Sequence, residues 1–164
     1  MGYTTEFRGC VTLDKPLDEE LNKYLDDFLK TRRMMRDVEK IKEMDADWQK
    51  HCYRGELGRE GEFYYDTTTE FGDAMDDSVI DYNVPPYTQP GLWCDWQIVD
   101  NTHIIWDGAE KFYNYVEWME YIINNFLAPN GYVANGSIEW HGEDMDDIGT
   151  IIVEDNVVTV RNLG

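Results

Sequence analysis

The chain has 164 residues, room for one core of moderate size, and its 42% hydrophobic and 14% aromatic side chains exclude an acidic disordered tail. It sets 14 Lys and Arg against 34 Asp and Glu, and the resulting net charge of −20 excludes unaided binding to DNA, RNA or an anionic membrane surface. No apolar run reaches the roughly 20 residues of a membrane span, and residues 1 to 7 have neither the basic nor the apolar region of a secretory signal. Cys10, Cys52 and Cys94 are odd in number and widely spaced, offering no disulfide framework and no CxxC metal site. A cytoplasmic location is the expectation.

Residues 4 to 13 alternate, with Thr5, Phe7, Val11 and Leu13 on one face, as a half-buried strand does. A helix follows: Asp14 or Asp18 can cap it, Pro16 suits its first turn, and Leu21, Tyr24, Leu25, Phe28 and Leu29 recur at helical spacing, carrying it to about Met35. Residues 37 to 55 read as a connection or short helix anchored by Val38, Ile41 and Trp48. Glu62 to Asp66 reads as a strand, and Glu70 to Ser78 as an acidic loop. Pro85, Pro86 and Pro90 hold the next stretch extended. Leu92 to Val99 then alternate into a strand that turns through a two-residue connection at Asp100-Asn101 and returns through Thr102, Ile104 and Trp106.

Phe112, Val116, Met119, Ile123 and Phe126 mark a second amphipathic helix from about Gly108 to Leu127, stopped by Pro129 and Gly131. Tyr132, Ala134, Ile138 and Trp140 alternate again, with Asn135-Gly136 as a turn or bulge. A last hairpin turns at Asp155-Asn156, where Val153 faces Val158. These elements predict an α+β fold in a single compact domain over residues 1–164. Two amphipathic helices would pack on one face of a mainly antiparallel sheet of about six or seven strands.

The charge is unevenly placed. Residues 1 to 54 hold 11 basic and 12 acidic side chains, whereas residues 55 to 164 hold 3 basic ones (Arg59, Lys111, Arg161) and 22 acidic ones, so −19 of the charge lies there. The densest runs are Asp73, Asp76 and Asp77, and Glu143, Asp144, Asp146 and Asp147. With so few cations in their own segment, these carboxylates must be solvated or offered to a partner. Twenty charges equal those on about 34 Å of duplex DNA, so the density suits mimicry of nucleic acid toward a cationic groove. Plain acidic solubility would scatter the carboxylates evenly, whereas mimicry requires them in rows.

One basic cluster stands out, Lys30, Arg32, Arg33 and Arg36, with Arg32 and Arg36 one helical turn apart. It suits either a favourable helix C-terminus or a grip on a phosphate or carboxylate. Trp93 and the aromatic, proline-rich stretch before it suit either edge packing or a stacking pocket for a base or sugar. The acids at 143 to 147 lack the glycine and terminal glutamate of a twelve-residue calcium loop, and His51, His103 and His141 are too isolated for a zinc site, so no metal and no cofactor is expected. No GxSxG, Walker loop, GxGxxG or HExxH occurs, and no catalytic residue is assigned.

The runs Pro90-Gly91-Leu92-Trp93-Cys94-Asp95-Trp96, Trp106-Asp107-Gly108-Ala109-Glu110-Lys111-Phe112-Tyr113 and Phe126-Leu127-Ala128-Pro129-Asn130-Gly131-Tyr132 form a pattern, completed by Asn135-Gly136 and Glu139-Trp140-His141-Gly142-Glu143. The pattern resembles a family of small acidic proteins of uncharacterised function in bacteria and their phages. It covers mostly residues 80 to 160 and brings no catalytic assignment. The resemblance implies a phage or mobile-element context, in which compact acidic proteins inhibit host defence. The leading expectation is a non-enzymatic inhibitor that shows its acidic surface to a basic nucleic-acid-binding protein. The alternative is a ligand-binding or hydrolytic domain that recognises a nucleotide or sugar through Arg32, Arg33, Arg36 and Trp93.

Overall fold

Strict alternation makes Thr5–Leu13 a nine-residue strand, β1, whose inward residues Phe7, Val11 and Leu13 are buried while Glu6, Arg8 and Thr12 face solvent. This computed structural model describes residues 2–66 and 72–164. The remaining elements are α1 (Glu19–Leu29), β2 (Met35–Arg36), α2 (Val38–Met44), β3 (Val79–Asp81), β4 (Trp96–Val99), β5 (His103–Trp106), α3 (Tyr115–Ile122), β6 (Ala134–Gly142), β7 (Ile148–Glu154) and β8 (Val157–Asn162). The fold is α+β: a six-stranded antiparallel sheet in the order β4-β5-β1-β6-β7-β8, a second sheet of β2 and β3, and three α-helices among the described residues. No helix among the described residues is long and apolar enough to cross a membrane.

The chain forms two compact units, residues 1–22 with 95–164, and residues 23–94. In the first, β1 pairs β6 along its whole length, from Thr5 opposite Gly142 to Leu13 opposite Ala134. At Gly9 and Gly136, both at positive φ, the partner backbone leaves no room for a side chain: a Cβ on Gly9 would run into the Ser137 carbonyl and one on Gly136 into the Cys10 carbonyl. Asn135-Gly136 is therefore inside a strand, and the glycine serves this approach. The Asp155-Asn156 turn forms as expected, with both residues at positive φ and Val153 opposite Val158. Phe7, Trp96 and Phe112 cluster at 5.0–5.7 Å in the core under β1, Trp96 meeting both phenylalanines edge to face, and α3 adds Trp118, Met119 and Ile122.

In the second unit, Tyr24, Leu25 and Phe28 of α1 are buried. Ile41, Cys52, Leu57 and Tyr64 form a small core with Val38 and Trp48 packed against it. Asp37 caps α2 by accepting from the N–H groups of Glu39 and Lys40.

Several boundaries differ from the sequence expectation, each for a tertiary reason. The first helix ends at Leu29, because the Arg32, Arg33 and Met35 N–H groups are taken by the Gly72, Leu92 and Val84 carbonyls. Glu62 to Asp66 is not a strand, since the N–H groups of Phe63, Tyr64 and Tyr65 go to Leu57, Gly61 and His51, which belong to no common neighbouring strand. The strand before Asp100 begins only at Trp96, and the connection to β5 has three residues, Asp100 to Thr102. The second long helix starts at Tyr115 rather than Gly108, because Gly108 and Asn114 both lie at positive φ. It continues as a π-helical turn over Ile123–Leu127. Of the expected loop from Glu70 to Ser78, residues 72–78 are irregular, and Glu70 and Phe71 lie outside the described residues.

Candidate functional site

Strand register gathers the acids of the first unit. The β6–β7 loop follows Gly142, which sits opposite Thr5, so Glu143 to Asp147 fall beside the start of β1. Strand β5 runs toward the same end, and the Glu110 carbonyl accepts from the Thr5 N–H at 3.4 Å. Seven carboxylates, Asp95, Asp107, Glu110, Glu143, Asp144, Asp146 and Asp147, thus occupy one end of the six-stranded sheet, with Lys111 paired to Glu110 at 3.4 Å. The uncovered face of the sheet is different. It carries Glu6, Glu139 and Glu154 but also Arg8 and Arg161, with neutral residues between them.

Within this end the acids have different work. Asp147 is structural: its Oδ2 accepts from the Tyr3 hydroxyl at 2.7 Å and its Oδ1 from the Trp140 indole at 2.9 Å. Glu143 accepts from the Thr4 N–H at 2.6 Å through one oxygen and is otherwise exposed. Asp144 and Asp146 are exposed, with the Asp144 N–H donating to the Tyr3 hydroxyl.

Asp95 and Asp107 form a pair that sequence reasoning did not single out. They extend the β4–β5 ladder by one step past Trp96 and Trp106, the Asp107 N–H donating to the Asp95 carbonyl at 2.9 Å. Burial, followed by the charge and hydrogen bond of Asp107, pushes Asp95 up to about 7, and burial raises Asp107 as well. The Asp107 Oδ1 also accepts from the Ala109 N–H at 2.9 Å. Like charges this close resist ionising together, so the pair gives up its protons less readily than two free carboxyls do. The only sequence signal was that Asp95 interrupts an apolar run between Cys94 and Trp96.

The other residues singled out in the sequence lie in the second unit. Arg32 and Arg36 are not on one helical face, because the helix has already ended. Arg36 is 2% exposed and is consumed internally, donating to Asp76 Oδ2 at 3.0 Å and Ser78 Oγ at 2.8 Å with Asp66 at 3.8 Å. Burial works to raise Asp76, but the Ser78 hydrogen bonds and the Arg36 charge outweigh it and hold its carboxyl below the usual range. Arg33, equally buried, lies 4.2 Å over the Phe28 ring and donates to the Glu62 carbonyl at 2.7 Å and to Gln89 at 3.3 Å. Asp73 is half-buried and Asp77 exposed.

Of the three arginines in the cluster, Arg32 is the one that reaches the surface, as Lys30 also does. Its guanidinium lies 4.0 Å from the Tyr82 ring centroid and 5.9 Å from that of Trp93, donating to the Tyr82 carbonyl and Asn83 Oδ1. All three side chains are half-buried. Arg32 and Trp93, far apart in sequence, are thus brought together, while Arg33 and Arg36 are withdrawn from any surface site.

His51, read as isolated, has a partner. Asp45 Oδ2 lies 2.7 Å from His51 Nδ1 and accepts from the Tyr64 hydroxyl at 2.9 Å. Burial works to raise Asp45, but these two hydrogen bonds outweigh it and its carboxyl lies below the usual range. Neighbouring Cys52 is pushed up to about 11 by burial, which leaves it a thiol at neutral pH. Among the described residues, no group of three or more His, Cys, Asp or Glu is placed to hold a metal ion. Comparison with protein-family models, curated proteins and solved structures finds no match to this chain.

Proposed function

We propose that this chain is a non-enzymatic acidic binding protein that engages a basic, nucleic-acid-binding protein in a phage or mobile-element setting and inhibits it by nucleic-acid mimicry. The observation that supports the reading is the gathering of seven carboxylates at one end of the six-stranded sheet, where Lys111 pairs with Glu110. Concentrated acid attracts a cationic groove and releases its bound anions, so the association weakens steeply with salt. Glu143, Asp144 and Asp146 are the residues to neutralise, since Asp147 holds Tyr3 and Trp140. Immobilised protein is exposed to nuclease-treated host lysate and eluted with rising salt, alongside the triple variant Glu143→Gln, Asp144→Asn, Asp146→Asn. A nucleic-acid-binding protein released at intermediate salt from the parent, and at clearly lower salt from the variant, supports the proposal. Equal release from both removes this end of the sheet from the mechanism.

A second reading draws on the Arg32, Tyr82 and Trp93 stack. A half-buried guanidinium over the Tyr82 ring with Trp93 nearby suits a planar anion such as a nucleotide. A ligand at 100 times its dissociation constant adds about 2.7 kcal/mol of stability, so a thermal-shift screen of nucleotides and sugars tests it. A hit abolished by Arg32→Ala favours this reading, and no shift with any of them counts against it.

A further inference from the structure

Strand β8 ends the six-stranded sheet, and its outer side has no neighbouring strand among the described residues. Hairpin geometry tells which backbone groups that leaves open. Glu154 and Val157 flank a two-residue turn and form a hydrogen-bonded pair, as do every second pair after them. The bond from the Leu163 N–H to the Ile148 carbonyl at 2.8 Å continues the same alternation. The N–H and carbonyl groups of Val158, Val160 and Asn162 therefore point away from the sheet. Natural edges are usually blunted by proline, bulges or a row of charges. Over Val157–Asn162 the sequence is Val-Val-Thr-Val-Arg-Asn, strongly strand-forming, with one charge and no interruption in its register against β7. Val157 is 61% exposed, Val160 43% and Leu163 55%.

Charge decides what can pair there. Both ends of this edge, about 20 Å apart at ~3.3 Å per residue, are acidic. Exposed Glu154 and Asp155 sit at the turn, and exposed Asp146 sits at the other end, where Gly164 lies against its backbone. A second copy paired antiparallel through β8 sets the turn acids of one chain against Asp146 of the other. A parallel pairing sets like ends side by side. Either arrangement opposes acid to acid beyond the strand ends, with Arg161 the one cation each β8 brings, between chains of net charge −20.

We propose that β8 is a docking edge for an extended segment of a partner protein, one that adds a seventh strand through alternating apolar residues and carries Lys or Arg at both ends of the added strand. This deepens the reading that the chain binds a basic protein, and rests on it. The backbone ladder supplies register and the terminal cations supply selection for sign.

The test uses the full chain and the blocked peptide Lys-Lys-Val-Thr-Val-Thr-Val-Lys-Lys, followed by fluorescence anisotropy and amide hydrogen exchange. Controls are the same peptide with the central Val replaced by Pro and the version with Glu for every Lys. Expected are binding of the parent peptide, at least tenfold weaker binding of both controls, and slowed exchange at Val158 and Val160. Val160→Pro removes an N–H that β7 does not use and should weaken the parent peptide at least tenfold while leaving the fold intact by circular dichroism. Exchange in the unmodified chain carries the test should that variant unfold. Equal binding of the parent and proline peptides, with no slowing at Val158 and Val160, overturns the docking edge but leaves the acidic-surface reading standing. Failure of the parent peptide to bind at low salt overturns the docking edge, whatever the lysate experiment yields. Slowed exchange at these amides without peptide, accompanied by a dimer in sedimentation, overturns it in favour of a second copy.

Discussion

Asp107 donates its backbone N–H to the carbonyl of Asp95 at 2.9 Å, and this one step of the ladder sets the carboxyl of exposed Asp107 beside that of buried Asp95, so that both resist ionisation. Asp95 holds its proton more tightly folded than unfolded, so its contribution to stability is full below about pH 4, the unfolded value, and fades as pH rises through about 7. Asp95→Asn keeps a donor toward Asp107 and abolishes the ionisation. The variant should be more stable than the parent by on the order of 2 kcal/mol at pH 8, with the gain shrinking by pH 5. Urea titrations at the two pH values check this, and a gain equal at both would contradict it.

Arg36 is a buried cation held by Asp76, Ser78 and Asp66. Removing it leaves two carboxylates without their counter-charge, at a cost of about 3–5 kcal/mol, far beyond that of a surface arginine. Arg36→Ala should therefore lower the denaturation midpoint sharply, while Arg8→Ala on the open sheet face should shift it by less than about 0.5 kcal/mol. Similar effects from the two would show that Arg36 is not the anchor of residues 76 to 78.

The Asp45 carboxylate receives His51 and Tyr64 on the same oxygen. Because its folded pKa lies below the unfolded value, its contribution is present above about pH 4 and is lost as pH falls through the lowered folded value. Asp45→Asn should cost about 1–3 kcal/mol at pH 7 and markedly less at pH 3. Thermal melts across that range decide it, and a cost independent of pH would point to packing in place of charge.

Gly136 and Gly108 separate steric from conformational cost within one unit. Both have positive φ, but a Cβ on Gly136 meets the Cys10 carbonyl and Val11 Cα, whereas one on Gly108 meets nothing within 4 Å. Gly108→Ala should cost about 1–2 kcal/mol from backbone strain alone. Gly136→Ala should cost clearly more, with slippage between β1 and β6 visible as faster amide exchange on both strands.

Much of the architecture was legible from period alone. The alternation of Thr5 to Leu13, the Asp155-Asn156 hairpin and its register, and the α+β class depend on side chains of one or two neighbouring elements, and nearby positions encode those. The concentration of negative charge after residue 54 was equally plain. Tertiary structure decided what the sequence could not. The first helix stops at Leu29 because carbonyls from residues 72, 84 and 92 claim the following N–H groups, and those partners lie 40 to 59 positions away. Arg33 and Arg36, indistinguishable from Arg32 as letters, are buried because Gln89, Asp76 and Ser78 fold over them. Asp95 and Asp107 become a pair that resists ionisation only when β4 and β5 close their ladder, and Asp147 turns from one more loop acid into the clasp for Tyr3 and Trp140. Local periodicity is written within a few residues, whereas the fate of a charge depends on which distant group arrives beside it, and only folding determines that.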